Sequence, residues 1–166
     1  MALIATSSYL PTLEEPRERE GVGRELEAVL HDLIDLSLIG KQLHWAVVGP
    51  LFRPLHLYLD ELIDSWRALA DTVAERAVAL GFIPDGQARA VAGGSQLSAV
   101  EAAALEDHVV VRELAQRVAM VSERVRARLE PIGAIDLASQ DVLIEVLRAL
   151  EEQQWMLRSQ LRGAPA

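Results

Sequence analysis

Five residues in the first half of the chain have side chains that bind metal ions: His44, His56, Asp60, Asp71 and Glu75. Iron accepts both imidazole and carboxylate ligands, and a mixed set with open positions also admits an oxidant. Acidic groups on a half-buried helix face are costly unless they are paired or bind a cation. These residue types therefore predict an iron site in which all five residues are metal ligands and carry the reaction.

These five residues must be positioned by helices, because apolar residues recur at helical spacing along most of the chain. Four long helices are predicted over residues 22–48, 52–80, 105–130 and 136–161, separated by Gly49–Pro50, a long crossover and Pro131. Ser98 and Glu101 have capping-box spacing, which predicts that a short extra helix opens there. One long connection between the second and third helices is typical of an all-α, ferritin-like four-helix bundle, here with a short extra helix in the crossover.

The second helix carries two pairs of candidate ligands, His56 with Asp60 and Asp71 with Glu75, each four residues apart and therefore on one face. Asp60 and Asp71 are separated by roughly 16 Å of helix, too far to share an ion within one chain. The outer two residues, His56 and Glu75, and the inner two, Asp60 and Asp71, are each symmetric about the point between residues 65 and 66. Two antiparallel copies of this helix would therefore form two equivalent sites, each shared between two chains.

A structural role remains open for each candidate taken singly. A lone histidine on a helix is usually a packed or hydrogen-bonded residue. Asp71 can pair with Arg67, and Glu75 can lie on a solvated face. Five such residues that share one face and one symmetry point favour the metal site over these alternatives.

Composition limits the other classes of function. The chain has 166 residues, a net charge of −9 and no cysteine, which excludes disulfides, zinc–thiolate sites and thiol catalysis. We expect an N-terminal tail (1–21), one helical domain (22–161) and a C-terminal tail (162–166). No apolar run is long enough to span a bilayer, and residues 1–10 lack a signal-peptide pattern, so we expect a cytoplasmic protein with no membrane partner.

Residues 41–50 (KQLHWAVVGP), followed by Phe52, Leu55–His56, Leu59–Glu61 and Leu69–Ala77, closely resemble the signature of the Dps family of mini-ferritins. The resemblance covers about 40 residues, and no ligand of the family pattern is missing. It implies a ferroxidase that oxidises ferrous iron at dimer interfaces, usually with hydrogen peroxide. It also implies a hollow shell of twelve subunits that stores ferric mineral and protects against oxidative stress.

The resemblance also gives roles to four residues outside the ligand set. Trp45 looks like the family's tryptophan near the iron site, although filling of the core is an equal alternative. Asp136, Asp141 and Glu145 resemble the acidic lining of a three-fold pore through which iron enters. Asp136 also fits a helix N-cap, so the pore prediction depends mainly on Asp141 and Glu145.

Many Dps proteins also coat DNA through basic tails, and a nucleoid-binding protein with secondary iron chemistry is the alternative function. Here Arg17 and Arg19 are outnumbered by neighbouring glutamates, and only Arg162 lies in the C-terminal tail. An acidic subunit repels phosphate, so we expect weak or no DNA binding. A ferritin-fold stress protein without metal turnover is the third possibility.

Overall fold

The computed structural model describes residue 13 and residues 15–161. It has four long helices, one short helix in the crossover and one pair of two-residue strands: α1 (Pro16–Ala46), β1 (Val47–Val48), α2 (Phe52–Ala79), α3 (Ala88–Gly94), β2 (Leu105–Glu106), α4 (Asp107–Gly133) and α5 (Leu137–Gln160). The expectation of an all-α four-helix bundle with an extra helix between the second and third long helices is confirmed. Predicted tail residues 1–12, 14 and 162–166 lie outside the described residues.

The bundle is built from two helix pairs, α1 against α2 and α4 against α5. Short turns join the members of each pair, so each pair is antiparallel. The core stripe of α2 includes Leu59, Ile63, Trp66 and Val73, all without solvent exposure. Because these residues recur every three or four positions, burying them fixes which face of α2 points away from the bundle.

Several helix bounds differ from the sequence prediction, most of all at the two ends of α1 and the C-terminal end of α4. The first helix begins at Pro16 rather than near residue 22, which is possible because proline at the first helical position loses no intrahelical hydrogen bond. It ends at Ala46 because Val47 and Val48 pair in parallel with Leu105 and Glu106. The prediction that Pro131 stops α4 is wrong: the helix continues to Gly133.

The prediction that the short extra helix opens at residues 98–101 is also wrong, because that helix is α3 at Ala88–Gly94. The guanidinium group of Arg117, which is almost fully buried, donates to the carbonyl oxygens of Ser98 (3.1 Å) and Ala99 (3.1 Å). These bonds hold the segment in a non-helical path that leads to β2. Within the described residues, no helix combines the length and apolar character needed to cross a bilayer.

Candidate metal site

The two candidate histidines lie side by side where α1 ends and α2 begins. The rings of His44 and His56 stack, with 3.6 Å between their centroids. The Nδ1 atom of each ring lies 3.0 Å from the backbone carbonyl oxygen of the other residue. A carbonyl oxygen can only accept, so Nδ1 carries the proton in both rings. Each Nε2 atom is thereby left with the lone pair that a metal ligand needs.

Asp60 joins the histidines, but it is paired with a cation in this state. Its Oδ1 atom lies 2.5 Å from Nζ of Lys41 and 3.4 Å from Nδ1 of His44. The hydrogen bond from Lys41 lowers the pKa of the Asp60 carboxyl below its usual range. Sequence reasoning gave Lys41 no role in the site. Its position could have indicated a role, since Lys41 is the only lysine of the chain and precedes His44 by three residues on the same helix.

Asp71 and Glu75 lie apart from this group, further along α2, and both side chains are exposed. Asp71 borders an open cleft of about 500 Å³ between α1 and α2, whose walls include Ile34, Ala70 and Ala74. Among residue 13 and residues 15–161, no three histidine or acidic side chains come close enough together to hold a metal ion. A single chain thus stacks His44 on His56 and places Asp60 beside His44, without forming a complete ligand group, and it leaves Asp71 and Glu75 exposed further along α2.

Trp45 follows His44 directly, and its side chain is 71% exposed. The alternative that it fills the core of its own chain is therefore wrong. Single exposed apolar side chains are common on protein surfaces, so this exposure by itself assigns no partner to Trp45.

The three pore candidates of α5 divide into two groups. Asp136 is the N-cap of α5 and accepts a hydrogen bond from the backbone N–H of Ser139. It also forms a 2.7 Å ion pair with Arg76 of α2. Burial alone would raise the pKa of Asp136, but the hydrogen bonds from Ser139 and Arg76 outweigh it and lower the pKa. Asp141 and Glu145 are both exposed on the following turns of α5.

Comparison with known proteins gives consistent results. The model of the ferritin-like domain family matches residues 24–165. The DNA protection during starvation protein of Mycolicibacterium smegmatis is 34% identical over 161 residues, covering 96% of this chain and 86% of the relative. DNA protection during starvation protein 2 of Deinococcus radiodurans is 31% identical over 140 residues, and the match spans 58% of its length. The solved structure of Mycobacterium smegmatis Dps has a TM-score of 0.88 at 32% identity, covering 97% of this chain and 91% of that one.

Proposed function

The chain belongs to the Dps proteins of the ferritin-like family, and from that premise we propose that it oxidises ferrous iron at sites shared between two copies of the chain. The broad role of the family is that of an iron-storing mini-ferritin. The finer proposals concern the composition of the site, the oxidant, the assembly and the route by which iron enters.

The stacked pair of His44 and His56 is the observation that carries this proposal. Here both rings turn the protonated nitrogen towards a backbone carbonyl, an arrangement that fixes the tautomer and orientation of a metal-ligating histidine. The Asp60 carboxylate lies beside the His44 ring. Two imidazole nitrogens and a carboxylate suit iron and leave positions for further ligands.

A second copy of α2 supplies those ligands in this proposal. A two-fold axis between Ser65 and Trp66 sets Asp71 and Glu75 of one copy against Asp60 and His56 of the other. The outward face of α2 suits such packing because its exposed residues alternate at spacings of four and three, the pattern of a helix–helix seam. That seam consists of Leu57, Glu61, Asp64, Ala68, Asp71, Glu75 and Val78.

The charge of this seam supports a cation between the two helices. Four of its seven residues are acidic, and the two-fold axis would set Asp71 against Asp60 of the other copy, a like-charge contact, while Asp64 would face Arg67. Like-charge contact is unfavourable in the lower dielectric of an interface. Bound ferrous ions would offset that repulsion. Leu57, 46% exposed, would lie opposite Ala74 at the rim of the cleft beside Asp71 and supply apolar contact.

The reaction that we propose consumes hydrogen peroxide. Two ferrous ions each lose one electron, and the pair of electrons breaks the O–O bond to give two hydroxide ions, which water or the mineral takes up. The role of the chain is to hold the ions: the imidazoles bind ferrous iron, while the carboxylates, as hard anionic ligands, favour the ferric product. Because both electrons reach one peroxide molecule, little hydroxyl radical is released.

Iron would reach these sites through pores in a shell of twelve copies. Asp141 and Glu145 are the proposed lining, since both are exposed and a ring of acids concentrates cations. Asp136 is less suited because Arg76 already neutralises it. Replacing Asp141 by Asn together with Glu145 by Gln should slow oxidation at low iron concentration, with the difference shrinking at high concentration. An equal rate at every concentration would exclude this entry route.

We place the protein in the cytoplasm and assign it weak or no DNA binding. The names of the relatives speak of DNA protection, and in this chain we attribute protection to the removal of iron and peroxide. With a net charge of −9 per copy, a shell repels the phosphate backbone at physiological salt.

The double variant His44→Ala with Asp71→Ala tests the shared site, because each copy then loses one ligand from either side of the interface. We expect iron oxidation by peroxide to fall at least about a hundredfold, since even outer-shell changes cost ten- to a hundredfold. Replacing Glu123 by alanine is the control, because it deletes an exposed carboxylate outside the site. Size-exclusion chromatography checks that both assemblies are intact. A wild-type rate in the intact double variant would rule out the assigned ligands.

A further inference from the structure

The turn between α1 and α2 sets the distance between the two candidate histidines. His44 lies three residues before this turn and His56 five residues after it, and the turn itself comprises residues 47–51. Gly49 has a φ of +115°, a conformation that residues with a side chain rarely adopt. Whatever holds residues 47–51 therefore also holds the stacked rings.

Asp107, the first residue of α4, forms a hydrogen bond to this turn although it lies far away in the sequence. Its Oδ2 atom accepts a 2.8 Å hydrogen bond from the backbone N–H of Leu51. Its Oδ1 atom accepts a 2.7 Å bond from the N–H of His108, at the start of its own helix. The residue is only 8% exposed. A Cβ atom at Gly49 would lie 2.8 Å from the Asp107 carboxylate, so the absence of a side chain there lets the carboxylate approach.

The pairing of β1 with β2 brings Asp107 to this position. Val48 pairs with Glu106, the residue directly before Asp107. The start of α4 is thereby aligned with the end of α1, and the buried carboxylate completes a link between them. This link is separate from the reciprocal hydrogen bonds of the two imidazoles.

We propose that Asp107 is a positioning residue for metal binding: by holding the N–H of Leu51, it keeps His44 and His56 at the spacing that a shared metal ion requires. The proposal rests on the proposed function, in which both histidines bind iron. Metal–ligand distances tolerate changes of only about 0.2 Å, so a small relaxation of the turn weakens the site without unfolding the bundle. Asp107 itself binds no metal.

The test is titration of the assembled protein with Co²⁺, a redox-inert stand-in for ferrous iron whose visible absorption reports its ligand geometry. Asp107→Ala should weaken Co²⁺ binding roughly tenfold, as the loss of supporting residues does at other metal sites. It should also change the visible spectrum and speed hydrogen exchange at the N–H of Leu51. Asp32→Asn is the matched control, because it alters another buried carboxylate that contacts a backbone N–H, far along α1 from the site. The control should lose stability but keep its Co²⁺ affinity and spectrum.

Asp107→Asn provides a second variant of nearly the same shape in case the alanine variant does not fold. It keeps one accepting oxygen but has an amide in place of the other, so it should show the same changes to a smaller extent. Co²⁺ affinity and spectrum unchanged in whichever variant folds would overturn the positioning role while leaving the proposed function intact. An equal loss of affinity in Asp32→Asn would also overturn it, since the effect would then be general. If Co²⁺ binding by the wild type is not reduced in His44→Ala, or is absent altogether, the proposed function fails and this inference fails with it.

Discussion

Replacing Trp66 by phenylalanine removes the donor of a buried hydrogen bond at the centre of α2. The side chain of Trp66 has no solvent exposure, and its indole N–H donates to Oε1 of Gln153 on α5 at 2.8 Å. The Gln153 amide in turn donates to Oγ of Ser65 at 3.1 Å. This network lies at the point where we place the two-fold axis, and it helps to fix the rotation of the helix that carries four candidate ligands.

The expected loss of stability has two parts. Without the indole, the carbonyl oxygen of Gln153 stays buried with no donor, which costs about 1–3 kcal/mol. The smaller ring leaves a void in the core, which adds roughly 1 kcal/mol. We therefore expect Trp66→Phe to lower the free energy of unfolding by about 2–4 kcal/mol.

Urea unfolding at a fixed protein concentration measures this change, because concentration affects the stability of an assembly. Trp155→Phe is the matched control: it makes the same chemical change on a side chain that is 67% exposed, so it should cost less than about 0.5 kcal/mol. Adding Gln153→Leu to Trp66→Phe should recover part of the loss, because both polar partners are then gone. The reasoning is refuted if Trp66→Phe costs no more than the control, or if the second change only adds to the loss.

Three further predictions follow from ion pairs and net charge. Lys41→Met should strengthen Co²⁺ binding about two- to fivefold, because the half-buried ammonium no longer competes for Asp60. Calorimetry would contradict this if Lys41→Met bound Co²⁺ no more tightly than the control Lys41→Arg. Asp136→Ala should lower stability by about 1–2 kcal/mol at pH 7. Because the folded-state pKa of Asp136 is lowered, its contribution is fully present above the unfolded pKa of about 3.9 and is lost as the pH falls through the folded-state pKa. Urea unfolding should therefore show a smaller difference between variant and wild type at pH 3 than at pH 7. Gel-shift assays with duplex DNA at about 0.15 M salt should show no retarded complex, and a tight complex would contradict the charge argument.

The long helices were predictable because their signal is local. In α2, Leu59, Ile63 and Trp66 recur at helical spacing, and the structure confirms that helix within one residue of its predicted end. The same regularity placed His56 and Asp60 on one side of the helix. Hydrophobic periodicity depends only on neighbours within two turns, so a helix can be predicted from it without knowledge of the rest of the fold.

The crossover was predicted less well because its path depends on distant groups. The capping-box spacing of Ser98 and Glu101 is a valid local signal, yet Arg117 binds the carbonyls of this segment and excludes a helix. Pro131 is a local stop signal as well, but α4 continues for two residues beyond it, to Gly133. At residues 98–101 this tertiary contact outweighed the local capping preference.

The amino-acid sequence alone determined which side chains share a helix face and that their types suit iron, because both follow from residue identity and the 3.6-residue repeat. Only the tertiary structure decided that His44 stacks on His56, that Lys41 pairs with Asp60, and that Asp136 pairs with Arg76 sixty positions earlier. Periodicity says which way a side chain points but not which of many arginines or acids it meets. That choice is made by the packing of the helices against one another, which brings distant residues within hydrogen-bonding range.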